Sequence, residues 1–436
     1  MRVNRLLCMI AALAGFWLLA GCAVNPVTGE RQLTLFSLSP EEEAAIGART
    51  FPRAVQSMGG RFPDRQLSDY VNRVGDRLGS VSHRPGLDYT FAVVNDSSPN
   101  AFALPGGYIA LTRGLLTNLE NEAQMAAVLG HEIAHVTARH ASQGLQRSTL
   151  LGVAQAVVSG AAEGSEYGVV AKQAGALAAS LIDRSYSREQ ERESDRVGID
   201  YMVEAGYDPQ GAVQLQEFFA EKVEGQGDSS WLTGLFRTHP FSRERLEANR
   251  RYISQNYRGS LGDPSSRLGV KNFSEATASL RETREGYRLY DKAQQLEASG
   301  NVTEAIDTYL DAIEAAPDQA LIYTGLGLAH LRLEDLLPAR RYLLEAVRLQ
   351  DNYYRSHAAL GYVYLKRESP EKAVSYLEKA MELLPTANSA FLLAESYEKT
   401  GRPDKALELY RAVRDADPGS ELGRAAEGRI EILERR

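Results

Sequence analysis

His131-Glu132-Ile133-Ala134-His135 places a carboxylate between two imidazoles four residues apart. Successive helical residues turn by about 100°, so the two histidines project within ~40° of each other and can share a metal ion. Glu132 falls about 60° round from His135, within reach of a water on that ion, whose pKa the metal lowers to about 7. A hydrolytic centre of this kind takes three protein ligands and keeps one position open. The segment Ser187 to Arg196 offers the third, because Glu191 and Asp195 lie four apart on one helical face. That spacing lets Glu191 ligate while Asp195 orients a ligating imidazole from behind. Alone, a run containing Glu189, Glu191, Glu193 and Asp195 reads as a solvated charged face, and Glu193 is expected to remain one.

These side chains need rigid elements to carry them. Asn118 to Glu122 supplies a polar, acidic helix start, and Ala123 to Val136 is rich in helix formers with only Gly130 interrupting. Tyr89 to Val94 and Tyr108 to Thr112 have strand composition and flank the stretch Asn100 to Gly107. A sheet edge near the metal would let an extended substrate add as another strand, and Asn100 and Ala101 are the expected substrate contacts.

Together these residues carry a family resemblance. HExxH followed by ExxxD resembles the gluzincin peptidases of the HtpX and CAAX-prenyl-protease group. Asn100-Ala101-Phe102-Ala103-Leu104-Pro105-Gly106-Gly107 resembles the segment before that family's active-site helix, and His239-Pro240 with Arg245 its downstream His-Pro element. The similarity runs roughly from Leu33 to Asn256. It implies one zinc ion held by His131, His135 and Glu191, Glu132 as general base, and Asp195 as outer partner of a ligand. It also places His239 at the mouth of the site, either touching the metal or stabilising the tetrahedral intermediate. Ser194 stands where the family usually has alanine. His140, five residues past His135, is expected to be a helix-end histidine off the metal face, with His83, His330 and His357 structural.

The amino terminus bears on compartment. Arg2 and Arg5 precede an apolar stretch from Leu6 to Ala20, too short for a confident membrane span and typical of a secretory signal. Leu19-Ala20-Gly21-Cys22 resembles the bacterial lipoprotein cleavage box, which implies lipidation of Cys22. Ala23 in the next position implies the periplasmic face of a Gram-negative outer membrane. Cys8, the other cysteine, would leave with the signal, so no disulfide is expected. A net charge of −8 argues against nucleic acid. The charge-poor stretch from Ser148 to Ile182 is expected to form buried or site-covering helices; neither arm reaches about eighteen uninterrupted apolar residues.

Near residue 260 the composition changes, and Gly259 to Ser266 is rich in turn formers. Beyond it Ala305, Ala339, Ala373 and Ala406 recur at a period of about 34, each followed four places later by Tyr309, Leu343, Leu377 and Tyr410. Pro317, Pro385 and Pro418 close three units, and Leu326-Gly327 and Leu360-Gly361 suit a tight helix crossing. This is the tetratricopeptide pattern. The expected fold is mainly α with a small β-sheet: a gluzincin zinc-peptidase domain followed by an α-solenoid of repeats. The expected boundaries are a lipoprotein signal peptide at 1–21, the peptidase domain at 22–262, a linker at 263–284 and the repeats at 285–436, with Glu421 to Arg436 as the cap. The expected function is a lipid-anchored periplasmic zinc metalloendopeptidase acting on misassembled envelope or outer-membrane proteins. Its repeats would recruit clients or the assembly machinery. The competing expectation is a chaperone or adaptor of outer-membrane assembly that acts mainly through the repeats.

Overall fold

The structure is a computed structural model, and it describes residues 21–29, 31–34, 38–145, 185–224, 237–262 and 267–435. The whole of the Ser148 to Ile182 stretch, with Leu6 to Ala20, lies outside them. Strands β1 (Gly21–Val24) and β2 (Arg31–Thr34) pair antiparallel and put Cys22 opposite Leu33. Helix α1 (Pro40–Ser57) opens on a capping box, in which Ser39 accepts the Glu42 amide and Glu42 accepts the Ser39 amide. Asp64 caps α2 (Arg65–Ser80) in the same sense through the Leu67 amide.

A three-stranded sheet follows, with β3 (Thr90–Val94), β4 (Ala101–Leu104) and β5 (Tyr108–Thr112) in the order β3-β5-β4. β3 runs parallel to β5, and β4 folds back antiparallel on β5 through a turn at Pro105 to Gly107. Two strands were expected from composition; the third, β4, is short and buried along its whole length, so no alternation marks it. After the one-turn helix α3 (Arg113–Leu116) comes the central helix α4 (Glu122–Thr137), capped by Asn121 on the Gln124 amide. Helices α5 (Arg188–Glu204) and α6 (Gln210–Glu224) pack against it, and α7 (Arg243–Asn256) packs on both of them.

The stretch expected to be a linker contains packed structure. Helices α8 (Val270–Ala276) and α9 (Ala278–Glu282) bury Phe273, Ala276 and Leu280 in the same core as α4, and the Leu268 carbonyl accepts the first-turn amide of Ala123 in α4. The turn-rich composition of 259–266 gave no sign of the short helices after it.

Antiparallel hairpins follow: α10 (Arg284–Ala298) with α11 (Val302–Ala315), α12 (Ala320–Arg332) with α13 (Leu336–Leu349), α14 (Tyr354–Lys366) with α15 (Pro370–Leu383), and α16 (Ala387–Lys399) with α17 (Pro403–Ala416). Helix α18 (Glu421–Glu434) closes the array. Every alanine of the period and every residue four places on is fully buried. A Cβ on Gly327 would sit 2.6 Å from Leu343 Cγ, and one on Gly361 2.3 Å from Leu377 Cγ, so the Leu-Gly pairs mark the crossings.

The first hairpin is joined to the sheet. Asn95, just after β3, donates through Nδ2 to the Tyr287 hydroxyl at 2.7 Å, and the buried Arg113 guanidinium lies 3.6 Å from the Tyr287 ring centroid. Ser97 donates to Asp291 at 2.7 Å. One hydrophobic core therefore runs from the sheet and α4 into α10, α11 and α12, and a second core fills the later repeats. Among the described residues no helix is long and apolar enough to cross a membrane.

Candidate metal centre

Two glycines set the spacing of the site. α4 and α5 cross where Gly130 meets Gly198: a Cβ on Gly198 would lie 2.8 Å from the His131 amide nitrogen, and one on Gly130 2.9 Å from the Gly198 carbonyl oxygen. At that separation the histidines of α4 and Glu191, near the start of α5, face each other. His131, His135, Glu191 and His239 each offer a ligand atom, and these atoms all lie within 4.8 Å of one another. His131 Nε2 is 3.0 Å from His135 Nε2 and 3.3 Å from His239 Nδ1. Glu191 Oε1 is 3.4 Å from His135 Nε2 and 3.1 Å from His239 Nδ1.

Glu132 is buried, with Oε1 3.5 Å from His239 Nε2 and Oε2 without a hydrogen-bond partner among the described residues. Burial pushes its carboxyl above the usual range, against the pull of His239 and His131. Burial also holds the His135 imidazole well below the usual histidine range, which leaves it neutral. Glu191 behaves oppositely: burial alone would raise it, but His239 and His131 keep it well below the usual carboxylate range. Three imidazole nitrogens and an ionised carboxylate are a donor set for a divalent transition metal, and the unpartnered Glu132 oxygen beside them is placed for a water. The residues present fit the ion that the sequence implied.

Asp195 sits behind the cluster, its Oδ1 3.0 Å from His131 Nδ1. Arg245 holds both acids: Nε and one terminal nitrogen clasp Asp195 at 2.8 and 2.7 Å, and the other reaches Glu191 at 2.6 Å and the Pro240 carbonyl at 2.9 Å. Burial opposes ionisation of Asp195, yet Arg245 and His131 carry it well below the usual range.

The sheet edge reaches the same place. The Asn100 carbonyl accepts the Thr112 amide at 2.9 Å, which makes 100/112 a hydrogen-bonded pair of the β4–β5 ladder. By alternation the main-chain groups of Ala101 and Ala103 then face away from β5, toward the free edge. Ala101, His131 and Glu132 line one hollow whose other walls are largely apolar, including Val128, Ile199, Met202, Leu215 and Phe219. Asn100 spends its main chain on Thr112, also donating to Thr112 Oγ1 at 2.9 Å, while its buried Oδ1 has no partner among the described residues.

Two expectations need correction. His239 is not at the mouth but buried inside the donor cluster, facing both glutamates. Glu193 is not solvated: it lies 3.5 Å from His140 Nε2 and accepts from Asn25 Nδ2 at 2.8 Å. His140 lies off the donor cluster, and its Nδ1 is 2.9 Å from His135 Nδ1. Helical angle alone does not bring it to His135, because the helix does not continue. Arg139 takes a left-handed conformation (φ 61°), held by Glu43 at 2.8 Å and the Leu38 carbonyl, and the chain turns His140 back under His135. An arginine gives no warning of that turn, as a glycine would. Of the remaining expected site residues, Cys22 lies in the β1–β2 hairpin, outside the cluster.

Known proteins place these features. Peptidase family M48 matches residues 65–253, and the tetratricopeptide repeat family matches residues 290–354 and 358–421. The chain is similar to the beta-barrel assembly-enhancing protease of Escherichia coli (strain K12), 28% identical over 413 residues that cover 82% of each chain. A putative beta-barrel assembly-enhancing protease of Vibrio cholerae is 31% identical over 199 residues, 44% of this chain and 40% of that one. The mitochondrial metalloendopeptidase OMA1 of Saccharomyces cerevisiae is 33% identical over 169 residues, 37% of this chain and 46% of that one. The last two matches each span less than half of the relative's own length.

Proposed function

We propose that this chain, a metallopeptidase that carries a peptidase family M48 domain followed by tetratricopeptide repeats, is a periplasmic zinc endopeptidase of outer-membrane assembly. The observation that carries the reading is the buried cluster of three imidazoles and a carboxylate with Glu132 beside it. In this reading His131, His135 and Glu191 hold the zinc ion. When bound, zinc supplies a Lewis acid for the scissile carbonyl and a water of lowered pKa.

The chain's own groups do the rest. Glu132 takes the proton of the attacking water on its unpartnered Oε2 and passes it to the leaving nitrogen. His239, whose Nδ1 lies among the donors, would offer its Nε2, on the Glu132 side, to the developing oxyanion. Substrate lies extended along β4, with its backbone paired to Ala101 and Ala103 and one apolar side chain in the hollow beside Glu132. Asn100 offers its side chain to the same strand.

Lipidation at Cys22 tethers the molecule to the periplasmic face of the outer membrane, a placement supported by the names of the bacterial relatives. The repeats present a concave groove lined by Tyr290, Thr324, Tyr353, Arg355 and Tyr362, suited to an extended segment of a client or of the assembly machinery. Zinc content and casein cleavage, measured on a chain beginning at Ala23 and on Glu132→Gln, test the reading. About one zinc per chain in both is expected, with cleavage lowered about 10²–10⁴-fold in the variant. Absent zinc in the wild type would sink it and leave the adaptor role.

A further inference from the structure

Both histidines of the central helix turn Nε2 toward the donor cluster, where the two atoms are 3.0 Å apart. Their Nδ1 atoms point the other way, and each meets a different backing group. For His131 it is the Asp195 carboxylate at 3.0 Å; for His135 it is the Nδ1 of His140 at 2.9 Å. A ligating imidazole keeps its ring orientation and tautomer through whatever its second nitrogen donates to. With Nε2 given to the metal, His135 carries its proton on Nδ1, so His140 Nδ1 must accept it. The His140 proton then sits on Nε2, which faces Glu193 Oε2 at 3.5 Å.

The other Glu193 oxygen accepts from Asn25 Nδ2 at 2.8 Å. Asn25 Oδ1 is already used by its own turn, taking the Val27 amide at 2.9 Å and the Thr28 amide at 3.4 Å, which fixes the amide so that Nδ2 faces Glu193. Ser194 Oγ stands farther from His140 Nδ1, at 3.5 Å, and the Tyr186 ring covers His135 with centroids 3.9 Å apart. His140 and Asn25 are both buried.

We propose that His140, Glu193 and Asn25 form a positioning chain that holds the His135 imidazole in its metal-binding orientation and so ties metal affinity to the segment that follows Cys22. The proposal rests on reading the cluster as a zinc site. None of the three residues touches substrate; they act through His135. The link is also mechanical, since Asn25 lies three residues beyond the expected point of lipid attachment.

The test is zinc affinity, measured by competition with a chromogenic chelator on the chain beginning at Ala23, together with the melting temperature of each metal-free protein. His140→Phe should raise the zinc dissociation constant about 10–100-fold, and Asn25→Ala should raise it several-fold, on the order expected for outer partners of a ligand. His140→Gln, whose side-chain oxygen can still accept from His135, should recover most of the loss. The metal-free melting temperature of His140→Gln should match the wild type, which a merely structural role would not predict. Wild-type affinity in a folded His140→Phe, or His140→Gln as weak as His140→Phe, would overturn the proposal. If His140→Phe fails to fold, Asn25→Ala decides, and unchanged affinity there overturns it. A wild-type chain that takes up no zinc would instead remove the metal reading itself.

Discussion

Arg245 is the residue on which the electrostatics of the site turn. It is the cation clasping Glu191 and Asp195, both buried, and it is itself largely buried. Removing one partner of such a set leaves uncompensated charge in low dielectric. Arg245→Met should therefore destabilise the metal-free protein by about 3–5 kcal/mol in urea unfolding, and added zinc should return part of that by neutralising Glu191. No recovery with zinc would argue that Glu191 is not a ligand. At this scale the sequence was legible wherever chemistry follows helical spacing: His131, His135, Glu191 and Asp195 converge as their four-residue separations require. It was illegible wherever the chain leaves the helix. His140 depends on one left-handed residue, and the burial of His239 depends on a segment about a hundred residues away in sequence.

Among the elements, the crossing of α4 and α5 is the most sensitive to a small change. Gly198→Ala would press a methyl group against the His131 amide and the Gly130 carbonyl carbon, at 2.8 and 2.9 Å. Neither helix can yield without moving a donor. A stability loss of about 1–3 kcal/mol is expected, and zinc affinity should fall with it; unchanged affinity would mean that the helices separate without disturbing the donors. In the repeats, Gly361→Ala meets the flexible end of Leu377 instead, so a loss at the lower end of that range is expected in thermal unfolding. Repeat periodicity made those hairpins readable, because a recurring alanine is a recurring contact. The edge strand β4 escaped notice because four apolar residues buried on both faces show no period, and the Pro-Gly-Gly that follows reads as loop.

For the molecule as a whole, the joint at Tyr287 decides how independent the halves are. Its ring lies under Arg113 and its hydroxyl accepts from Asn95 and donates to Gln319. Tyr287→Ala in the full chain should cost about 3–5 kcal/mol and speed amide exchange in β3 as well as in α10. Faster exchange confined to the repeats would show that the halves unfold separately. The composition change near residue 260 suggested a seam there, but the core shared with the peptidase continues through α12 and takes in Tyr353, just before α14. Exchange of modules has to respect that reach. A chimera joined at residue 285 would strip the peptidase of side chains it shares with the first hairpin. One joined beyond α15 would keep the contacts that Gln350, Asn352 and Tyr354 make with Arg61 and Gln56 and leave the last hairpin and α18 free to be replaced, so a new binding surface can be grafted there without retuning the chemistry.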